Sequence, residues 1–576
     1  MFKIWSILDK EFKTKFYFVL LLIFVGIFFE AFGVGLILPL VNIATSGVDS
    51  LPDSIKNITF ITNILSSSSA LFYSMIFFVT FFIFRTLILG IIEYYKQKFV
   101  YSLQENLSSR ILAGYLNNEY DFFLKRNSSI FIRNIITEIG LLSNVTQSFL
   151  IIISETLVCI ALFLLLAYFE PMGTFLALTI FSFGGLFFFL LIKKNVGLWG
   201  SIRHKYDAYR IKNLQQSFGS IKEIIISNKQ KYFLNKFVSN THITMEAARK
   251  QNTVQQLPRL LLELLAITGI ALISFTLLAQ NKDSANIAGI LALFAASAFR
   301  LMPSINRILT AAQTMRYAGA VTETIHSEIS NFEGLPPKKQ TEQKIMKANI
   351  EFKDVSFCYA GLDEKVLNNI NLKIDSNSTV AFIGSSGSGK STLIDLVLGA
   401  LKPSFGSIFI NNNDLNSTLA EWQNSVGYVP QDIYLTDETL MENIAFGVQK
   451  NNIDKARVHE CIKLANLENF ISELPDGLET KVGERGVRIS GGQLQRVGIA
   501  RALYKKPSIL ILDEATSALD SITEKKIMKA VFGMSGDITI IIIAHRLSTI
   551  ESCDYIYKLE NGCIASHGKP EQILNL

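Results

Sequence analysis

Long apolar runs alternate with polar, basic stretches over the first 330 residues of the chain. A helix needs about 20 mostly apolar residues to cross the hydrocarbon core of a membrane. We therefore predict six membrane-spanning helices, at about residues 16–44, 70–93, 138–168, 172–192, 259–280 and 286–310. The connections 169–171 and 281–285 are so short that each must be a tight turn between antiparallel helices.

The other connections differ in charge on the two sides of the predicted membrane. Residues 94–137 and 193–258 are rich in lysine and arginine, whereas the opposite loops contain little of either beyond Lys56 and Lys282. By the positive-inside rule, both termini and both long connections face the cytoplasm.

The two long connections keep a helical periodicity. Apolar side chains recur at four-residue steps in the first of them, at Leu103, Leu107, Ile111 and Tyr115. This pattern indicates that the membrane helices continue into the cytoplasm and turn around at short cross-helices, near 118–128 and 218–228. Ordinary solvated loops are the alternative, although unstructured loops of this length are uncommon.

An external segment, residues 47–69, has its own pattern. Ile55, Ile58, Ile61 and Leu65 are spaced to form one apolar face of a short helix. An amphipathic helix there could lie in the outer membrane interface. A loop packed on the helical bundle fits the same residues.

Ionisable residues inside membrane spans are costly, so each one is a candidate functional group. The candidates are Arg85, Arg259, Arg300 and Arg307. Arg300 and Arg307 are two helical turns apart, so they point to one side of their helix at a separation of about 10 Å. Guanidinium groups match phosphate oxygens, which favours a phosphate or pyrophosphate ligand. Pairing with Glu30 and Glu263, or snorkelling to the interface, is the structural alternative.

After a polar linker at 331–347, alternating strand and helix patterns predict an α/β domain over 348–576. An apolar strand at 380–383 leads into a glycine-rich loop, and a helix follows from Thr392. This strand–loop–helix order is typical of a phosphate-binding P-loop. The loop consists of Gly384, Ser385, Ser386, Gly387, Ser388, Gly389, Lys390 and Ser391.

Each part of the loop has a chemical reason. Glycines leave the backbone N–H groups free to close around the β-phosphate, and Lys390 reaches the β- and γ-phosphates. The Ser391 hydroxyl completes the coordination of Mg²⁺. Downstream, a second apolar strand ends at Asp513, which suits Mg²⁺. The next residue, Glu514, is placed to accept the proton of an attacking water.

Composition limits the remaining choices. The chain has 576 residues, of which 49% are hydrophobic and 18% charged, so more than one domain is expected. A net charge of +6 argues for no particular partner, and we predict no nucleic-acid binding. The five cysteines follow no metal-binding or disulfide spacing, which favours free thiols in a reducing compartment. The first apolar run is too long for a cleaved signal peptide.

The second half resembles the nucleotide-binding domain of an ABC transporter. The resemblance rests on the P-loop, on Asp513–Glu514 and on six further motifs. These are the aromatic Tyr359, the Q-loop Gln431, the X-loop 480–486, the signature 489–493 (Ser490, Gly491, Gly492 and Gln493 after Ile489) and the D-loop 517–520 ending at Asp520, followed by the switch histidine His545.

The resemblance implies a role for each of these residues. Tyr359 would stack on adenine, Gln431 would contact Mg²⁺ and sense the membrane domain, and His545 would hold the γ-phosphate. In this family the signature reaches the γ-phosphate across a dimer interface, so a functional unit would be a homodimer that binds ATP and Mg²⁺ between its chains. The signature helix N-terminus would supply positive charge there.

The whole chain also resembles the half-size bacterial exporters that flip lipid-linked oligosaccharides for protein glycosylation. The similarity lies in Glu30, Arg85, Pro258–Arg259 and the run 300–308. It implies an ATP-driven flippase in the bacterial inner membrane, with a polyprenyl-pyrophosphate glycan as substrate. An exporter of a lipid A-type lipid, a peptide or a drug-like compound remains an alternative, as does an ATP-regulated channel or receptor. The predicted fold class is therefore an all-α transmembrane domain fused to an α/β P-loop ATPase domain.

Overall fold

The computed structural model describes residues 5–37, 40, 70–279, 284–332, 341–361, 364–483, 486, 489–515, 520–544 and 546–573. The chain forms two compact units, of which the first contains Met1–Asn118 and Arg126–Leu335, and the second Glu119–Lys125 and Pro336–Leu576. The predicted external segment 47–69 and His545 lie outside the described residues.

Up to residue 332 the described chain is helical. Its helices are α1 (Lys10–Gly35), α2 (Ala70–Leu116), α3 (Tyr120–Leu124), α4 (Ser128–Ile132), a π turn (Arg133–Glu138), α5 (Ile139–Phe169), α6 (Pro171–Gly219), α7 (Ile221–Ile226), α8 (Gln230–Ala279), α9 (Ser284–Tyr317) and α10 (Gly319–Phe332). The short helix α3 belongs to the second unit, where Lys402 forms an ion pair with Glu119.

Three of these helices are far longer than a membrane requires. α2, α6 and α8 have 47, 49 and 50 residues. At 1.5 Å per residue each measures about 70–75 Å, more than twice the hydrocarbon core. The short helices α3 and α7 lie where the sequence places the two cross-helices. The turn between α5 and α6 is a single residue, Glu170, because Pro171 suits the first position of a helix.

By length and composition, five helices in the described part of the chain could cross a membrane. These candidate spans start at Lys10 in α1, at Phe72 in α2, at Ser128 in α4 with continuation into α5, at Pro171 in α6 and at Gln230 in α8. The sixth predicted span, 286–310, lies in α9, where the side chains of 284–290 are not described, and it stays a prediction. Large apolar side chains such as Phe84, Leu87, Phe183 and Phe275 are exposed on these helices, as expected for contact with lipid.

The core of the first unit contains a cluster of buried ion pairs at the π turn. Glu138 is fully buried, and its carboxylate lies 3.3 Å from Arg203 Nη2, 3.5 Å from Arg133 Nε and 3.1 Å from His204 Nδ1. His204 Nε2 lies 3.3 Å from the Thr324 hydroxyl, which ties α6 to α10. A π turn inserts one extra residue per turn and often marks a functional position in a helix.

We expect the Glu138→Gln variant to be markedly less stable than the wild type. Arg133 would stay buried without its carboxylate partner and Arg203 would keep only Asp207, and breaking a buried pair in this way costs about 3–5 kcal/mol. Thermal unfolding of the detergent-solubilised protein measures the effect. Glu246→Gln is the control because Glu246 forms a solvent-exposed pair with Lys250. Equal midpoints for Glu138→Gln and the wild type would contradict the expectation.

The second unit contains all the described strands. They are β1 (Ile350–Phe357), β2 (Leu367–Ile374), β3 (Thr379–Gly384), β4 (Phe405–Ile410), β5 (Asn413–Asp414), β6 (Val426–Val429), β7 (Ile509–Asp513), β8 (Thr539–Ile543), β9 (Tyr555–Glu560) and β10 (Cys563–Gly568). One sheet has the order β2–β1–β4–β5, and the other has the order β10–β9–β3–β8–β7–β6.

In the larger sheet, β6, β7, β8, β3 and β9 run parallel and β10 is antiparallel. Besides α3, the α-helices described in this unit are α11 (Lys390–Val397), α12 (Leu419–Ser425), α13 (Leu440–Ile444), α14 (Lys455–Leu464), α15 (Glu468–Ser472), α16 (Gly491–Tyr504), α17 (Ser521–Phe532), α18 (Leu547–Ile550) and α19 (Pro570–Ile573). β7 and β8 are buried along their whole length, which explains their continuous apolar sequence. Ligands bind beyond the carboxyl ends of such parallel strands.

Candidate functional site

The glycine-rich loop connects the carboxyl end of β3 to the start of α11. A Cβ on Gly384 would lie 2.2 Å from the Leu559 carbonyl oxygen, so only glycine fits where the loop passes β9. Gly389 caps α11 with a φ of 100°, a left-handed backbone conformation that glycine adopts at little conformational cost. A Cβ on Gly387 would meet no atom within 4 Å, so this part of the loop is open.

Lys390 folds back over the same loop. Its ammonium group donates hydrogen bonds to the carbonyl oxygens of Gly384 at 3.0 Å and Ser385 at 2.9 Å. Burial lowers the pKa of Lys390, and the charges of Glu514 and Asp513 oppose this shift. An ammonium group beside an open backbone cradle fits the phosphates of a nucleotide.

Four more predicted residues belong to this loop and helix. Ser386 and Ser391 are exposed, whereas Ser388 and Thr392 are buried. The Ser388 hydroxyl is buried without a hydrogen-bond partner among the described residues, and the Tyr359 hydroxyl lies 3.1 Å from that of Thr392. The predicted adenine-stacking residue therefore lies against the first turn of α11, and its ring packs edge-on against Phe357.

Asp513 ends β7 in a position that suits a cation. It is buried, and its Oδ1 atom has no hydrogen-bond partner in the described part of the chain. Burial raises the pKa of Asp513, and the charge of Glu514 raises it further. Asp395 on α11 is a second acid, and burial together with the charge of Asp513 raises its pKa to about 6. No sequence motif pointed to Asp395.

These observations are consistent with bound Mg²⁺. An unpartnered buried carboxylate oxygen is stabilised by a hard cation, and Mg²⁺ uses one or two protein ligands together with phosphate and water oxygens. The described residues contain no group of three or more His, Cys, Asp or Glu side chains that could hold a metal alone. Ser391, Gln431 and Asp513 stay the predicted ligands.

Glu514 and Gln431 lie in direct contact. Gln431 Nε2 donates a hydrogen bond to Glu514 Oε2 at 2.9 Å. β6 and β7 are parallel neighbours, so the residues that follow them meet at one edge of the sheet. Glu514 has a φ of 50°, a left-handed conformation that is uncommon for a non-glycine residue and clusters at functional sites.

The signature residues open a helix. Ser490 caps α16, because its side chain accepts a hydrogen bond from Gln493 N at 3.3 Å and Gln493 Oε1 accepts one from Ser490 N at 2.8 Å. Ser490 and Gly491 are exposed, and Gly492 is half-buried. Asp520 caps α17 by accepting from Ile522 N and Thr523 N, and hydrogen bonds from the side chain and backbone of Thr523 lower the pKa of Asp520. Both helix N-termini are thus capped by exposed side chains.

Three of the four candidate arginines lie together in the first unit. Arg300 Nε donates a hydrogen bond to Glu30 Oε2 at 2.8 Å, and Arg85 Nη2 lies 3.6 Å from Glu30 Oε1. Arg307 Nη1 donates a hydrogen bond to Glu155 Oε1 at 2.6 Å. We call these five side chains the charge cluster. It joins α1, α2, α5 and α9.

Arg259 has a different environment. It pairs with Glu263 one turn away at 2.9 Å, and 71% of its side chain is exposed. Glu30 and Glu263, the two carboxylates that the sequence offers as partners, are both paired with arginine in the structure. Glu155 was not predicted as a partner, although the rule that ionisable residues inside spans are functional candidates applies equally to a glutamate in 138–168.

Comparisons with known proteins bear on both halves. A family model described as ABC transporter matches residues 367–517. A protein of Rickettsia prowazekii (strain Madrid E) named as an export ATP-binding/permease protein is 45% identical over 222 residues. The alignment covers 38% of this chain, and this chain spans only 38% of the length of that protein. The ATP-dependent lipid A-core flippase of Francisella tularensis subsp. holarctica (strain OSU18) is 29% identical over 498 residues, or 83% of this chain and 78% of that protein.

Among solved structures, a bacterial Atm1-family ABC exporter with ATP bound matches with a TM-score of 0.76 and 22% identity, over 98% of this chain and 97% of that one. The Francisella alignment is long enough to include much of the helical half. That relative is named for lipid A-core, so a specific similarity to oligosaccharide flippases stays a prediction.

Proposed function

We propose a function from the premise that this chain has the fold of a half-size ABC exporter, with a helical N-terminal part and a C-terminal ABC transporter ATPase domain. It uses ATP hydrolysis to move a lipid with a phosphorylated headgroup across the bacterial inner membrane. The substrate we favour is a polyprenyl-pyrophosphate oligosaccharide, which travels from the cytoplasmic to the outer leaflet for use in glycosylation.

The charge cluster is the observation that carries this proposal. Three guanidinium groups face two carboxylates there, which leaves one positive charge in excess among apolar helices. Charged groups inside membrane-spanning helices are costly, and proteins retain them along substrate pathways. A phosphate or pyrophosphate on a lipid supplies the missing negative charge and fits the guanidinium fork. Arg259 is a weaker candidate because it lies apart from the cluster in a pair of its own.

A lipid A-type lipid is the second candidate. The name of the Francisella relative, whose alignment includes much of the helical half, favours it. Such a lipid carries phosphate as well, so it meets the same electrostatic requirement. A peptide or a neutral drug-like compound would not need the arginines at all.

The ATPase part needs two chains. Lys390 and the P-loop glycines bind the phosphates, Asp513 with Ser391 and Gln431 binds Mg²⁺, and Glu514 accepts a proton from water. Mg²⁺ neutralises phosphate charge when it is bound. Ser490 and Gly491 are exposed at the start of α16, where a second chain's nucleotide can reach them. Both termini and the ATPase part face the cytoplasm, as the basic connections indicate.

We expect Arg300→Ala and Arg307→Ala to slow lipid flipping at least tenfold without lowering basal ATP turnover, since a charge-assisted hydrogen bond contributes about 1.5–3 kcal/mol. The assay uses proteoliposomes loaded with polyprenyl-pyrophosphate oligosaccharide or with lipid A, and it follows ATPase activity in parallel. Arg316→Ala is the matched control, because Arg316 lies on α9 outside the cluster and donates to the Lys193 carbonyl.

Flipping of both lipids at wild-type rates in both cluster variants would remove the phosphate role. The ATPase assignment would survive that result, since its residues lie in the other unit.

A further inference from the structure

The two carboxylates of the charge cluster occupy positions on the arginines that phosphate oxygens would need. Glu30 and Glu155 are buried, with 8% and 7% of their surfaces exposed. Glu30 accepts from Arg300, and Glu155 accepts from Arg307. In the described conformation the guanidinium groups are thus already paired, and an incoming anion has to exchange with a carboxylate.

Arg307 is the most accessible member of the cluster. Its side chain is 55% exposed in the single chain, against 17% for Arg85 and 19% for Arg300. Its partner Glu155 has 9% of its side chain exposed. Exchange therefore begins most easily at the Arg307–Glu155 pair, because more than half of the Arg307 side chain is exposed.

Glu155 has further partners that would remain after such an exchange. Ser304 Oγ donates a hydrogen bond to Glu155 Oε2 at 2.7 Å, and Arg300 Nη2 lies 3.7 Å from the same oxygen. An unpaired buried charge is strongly destabilising. Because Ser304 and Arg300 stay in contact with it, Glu155 can release Arg307 without becoming unpaired.

We propose that Glu155 is a specificity-determining residue, an internal counter-anion that a lipid phosphate displaces from Arg307. This inference rests on the proposed function. The exchange replaces one ion pair of Arg307 by another, so the net gain is small and the lipid can leave again on the other side. Neutral lipids gain nothing from the exchange and are rejected.

The first test compares anionic and neutral lipids. Glu155→Gln keeps the shape of the side chain and an acceptor for Ser304 but removes the competing charge. The concentration of undecaprenyl pyrophosphate that half-maximally stimulates ATPase activity is expected to fall about tenfold, on the scale of one charge-assisted hydrogen bond. Uncharged undecaprenol should stimulate the ATPase activity of neither the wild type nor the variant. An unchanged or higher concentration for the pyrophosphate lipid overturns the inference.

Two variants control for other causes. Glu246→Gln removes a carboxylate from the exposed pair with Lys250 and should leave the half-maximal concentration unchanged. An equal fall in that variant would make the effect one of net charge and would overturn the role of Glu155. Glu155→Asp keeps the charge but shortens the side chain, so its half-maximal concentration is expected to lie between those of the wild type and Glu155→Gln. This variant serves as the test if Glu155→Gln folds poorly.

A second measurement separates this inference from the proposed function. Binding of radiolabelled inorganic pyrophosphate is measured by equilibrium dialysis in a Lys390→Ala background, which weakens binding at the P-loop. Adding Glu155→Gln is expected to increase binding, and adding Arg307→Gln as well should abolish the increase.

If undecaprenyl pyrophosphate does not stimulate the ATPase activity of the wild type, the proposed function fails. The binding of inorganic pyrophosphate then decides the role of Glu155 by itself. Equal pyrophosphate binding with and without Glu155→Gln overturns that role whatever the lipid is.

Discussion

Replacing Glu514 with glutamine lowers ATP turnover by about a hundredfold or more in our expectation, while nucleotide binding is retained. Glu514 follows the buried strand β7, and its charge opposes the lowering of the Lys390 pKa by burial. Gln431 donates a hydrogen bond to it at 2.9 Å. Glutamine preserves the size and the contact with Gln431 but cannot accept a proton from water. Release of phosphate and binding of a fluorescent ATP analogue measure the two effects.

Glu560→Gln is a suitable control for this variant. It removes a carboxylate from the same unit, at the exposed end of β9, and should leave turnover unchanged. Wild-type turnover in Glu514→Gln would show that another group activates the water. A parallel loss of nucleotide binding would mean that the carboxylate supports the fold of the site instead.

Chains with different lesions should rescue each other. A Lys390→Ala chain has a damaged P-loop and an intact signature, and a Ser490→Arg chain has the reverse. If each site combines the P-loop of one chain with the signature of the other, a mixed dimer has one intact site. Neither variant alone is expected to hydrolyse ATP, whereas mixed dimers isolated through two affinity tags should do so.

The matched control places both lesions on one chain. A dimer of that double variant with a wild-type chain has one lesion in each site and should be inactive. Activity in this arrangement, or full activity of a strictly monomeric wild-type chain, would contradict the shared site. The comparison changes only the distribution of two substitutions, so effects on folding are the same in both arrangements.

The fold class could be predicted because its signals are local. The strand, glycine loop and helix at 380–392 follow one another in sequence, and the structure has β3, the loop and α11 in that order. The predicted fold class is confirmed by the match to an exporter structure. Helix ends were less accessible to prediction. α1 begins at Lys10, ahead of the predicted residue 16, because an apolar run marks the membrane and says little about where a helix starts.

The charge cluster shows why the rest could not be predicted. Arg300 and Glu30 are 270 positions apart, and Arg307 and Glu155 are 152 apart. Only the packing of four helices brings them together, and no periodicity in a single helix encodes that packing. The X-loop residues 484–485, the D-loop residues 517–519 and His545 lie outside the described residues, so their roles stay predictions.

Pro303 lies inside α9, between the two arginines of that helix. Proline has no N–H group, so the carbonyl of Phe299 lacks its usual helical partner, and the ring pushes against that carbonyl. The Ser304 hydroxyl, which donates to Glu155, also lies 3.1 Å from the Arg300 carbonyl oxygen one turn back, a contact that tends to bend helices. The backbone is therefore most compliant where the charges are concentrated. A rearrangement of the ion pairs can be absorbed by local flexing of α9, without sliding its full length past the neighbouring helices.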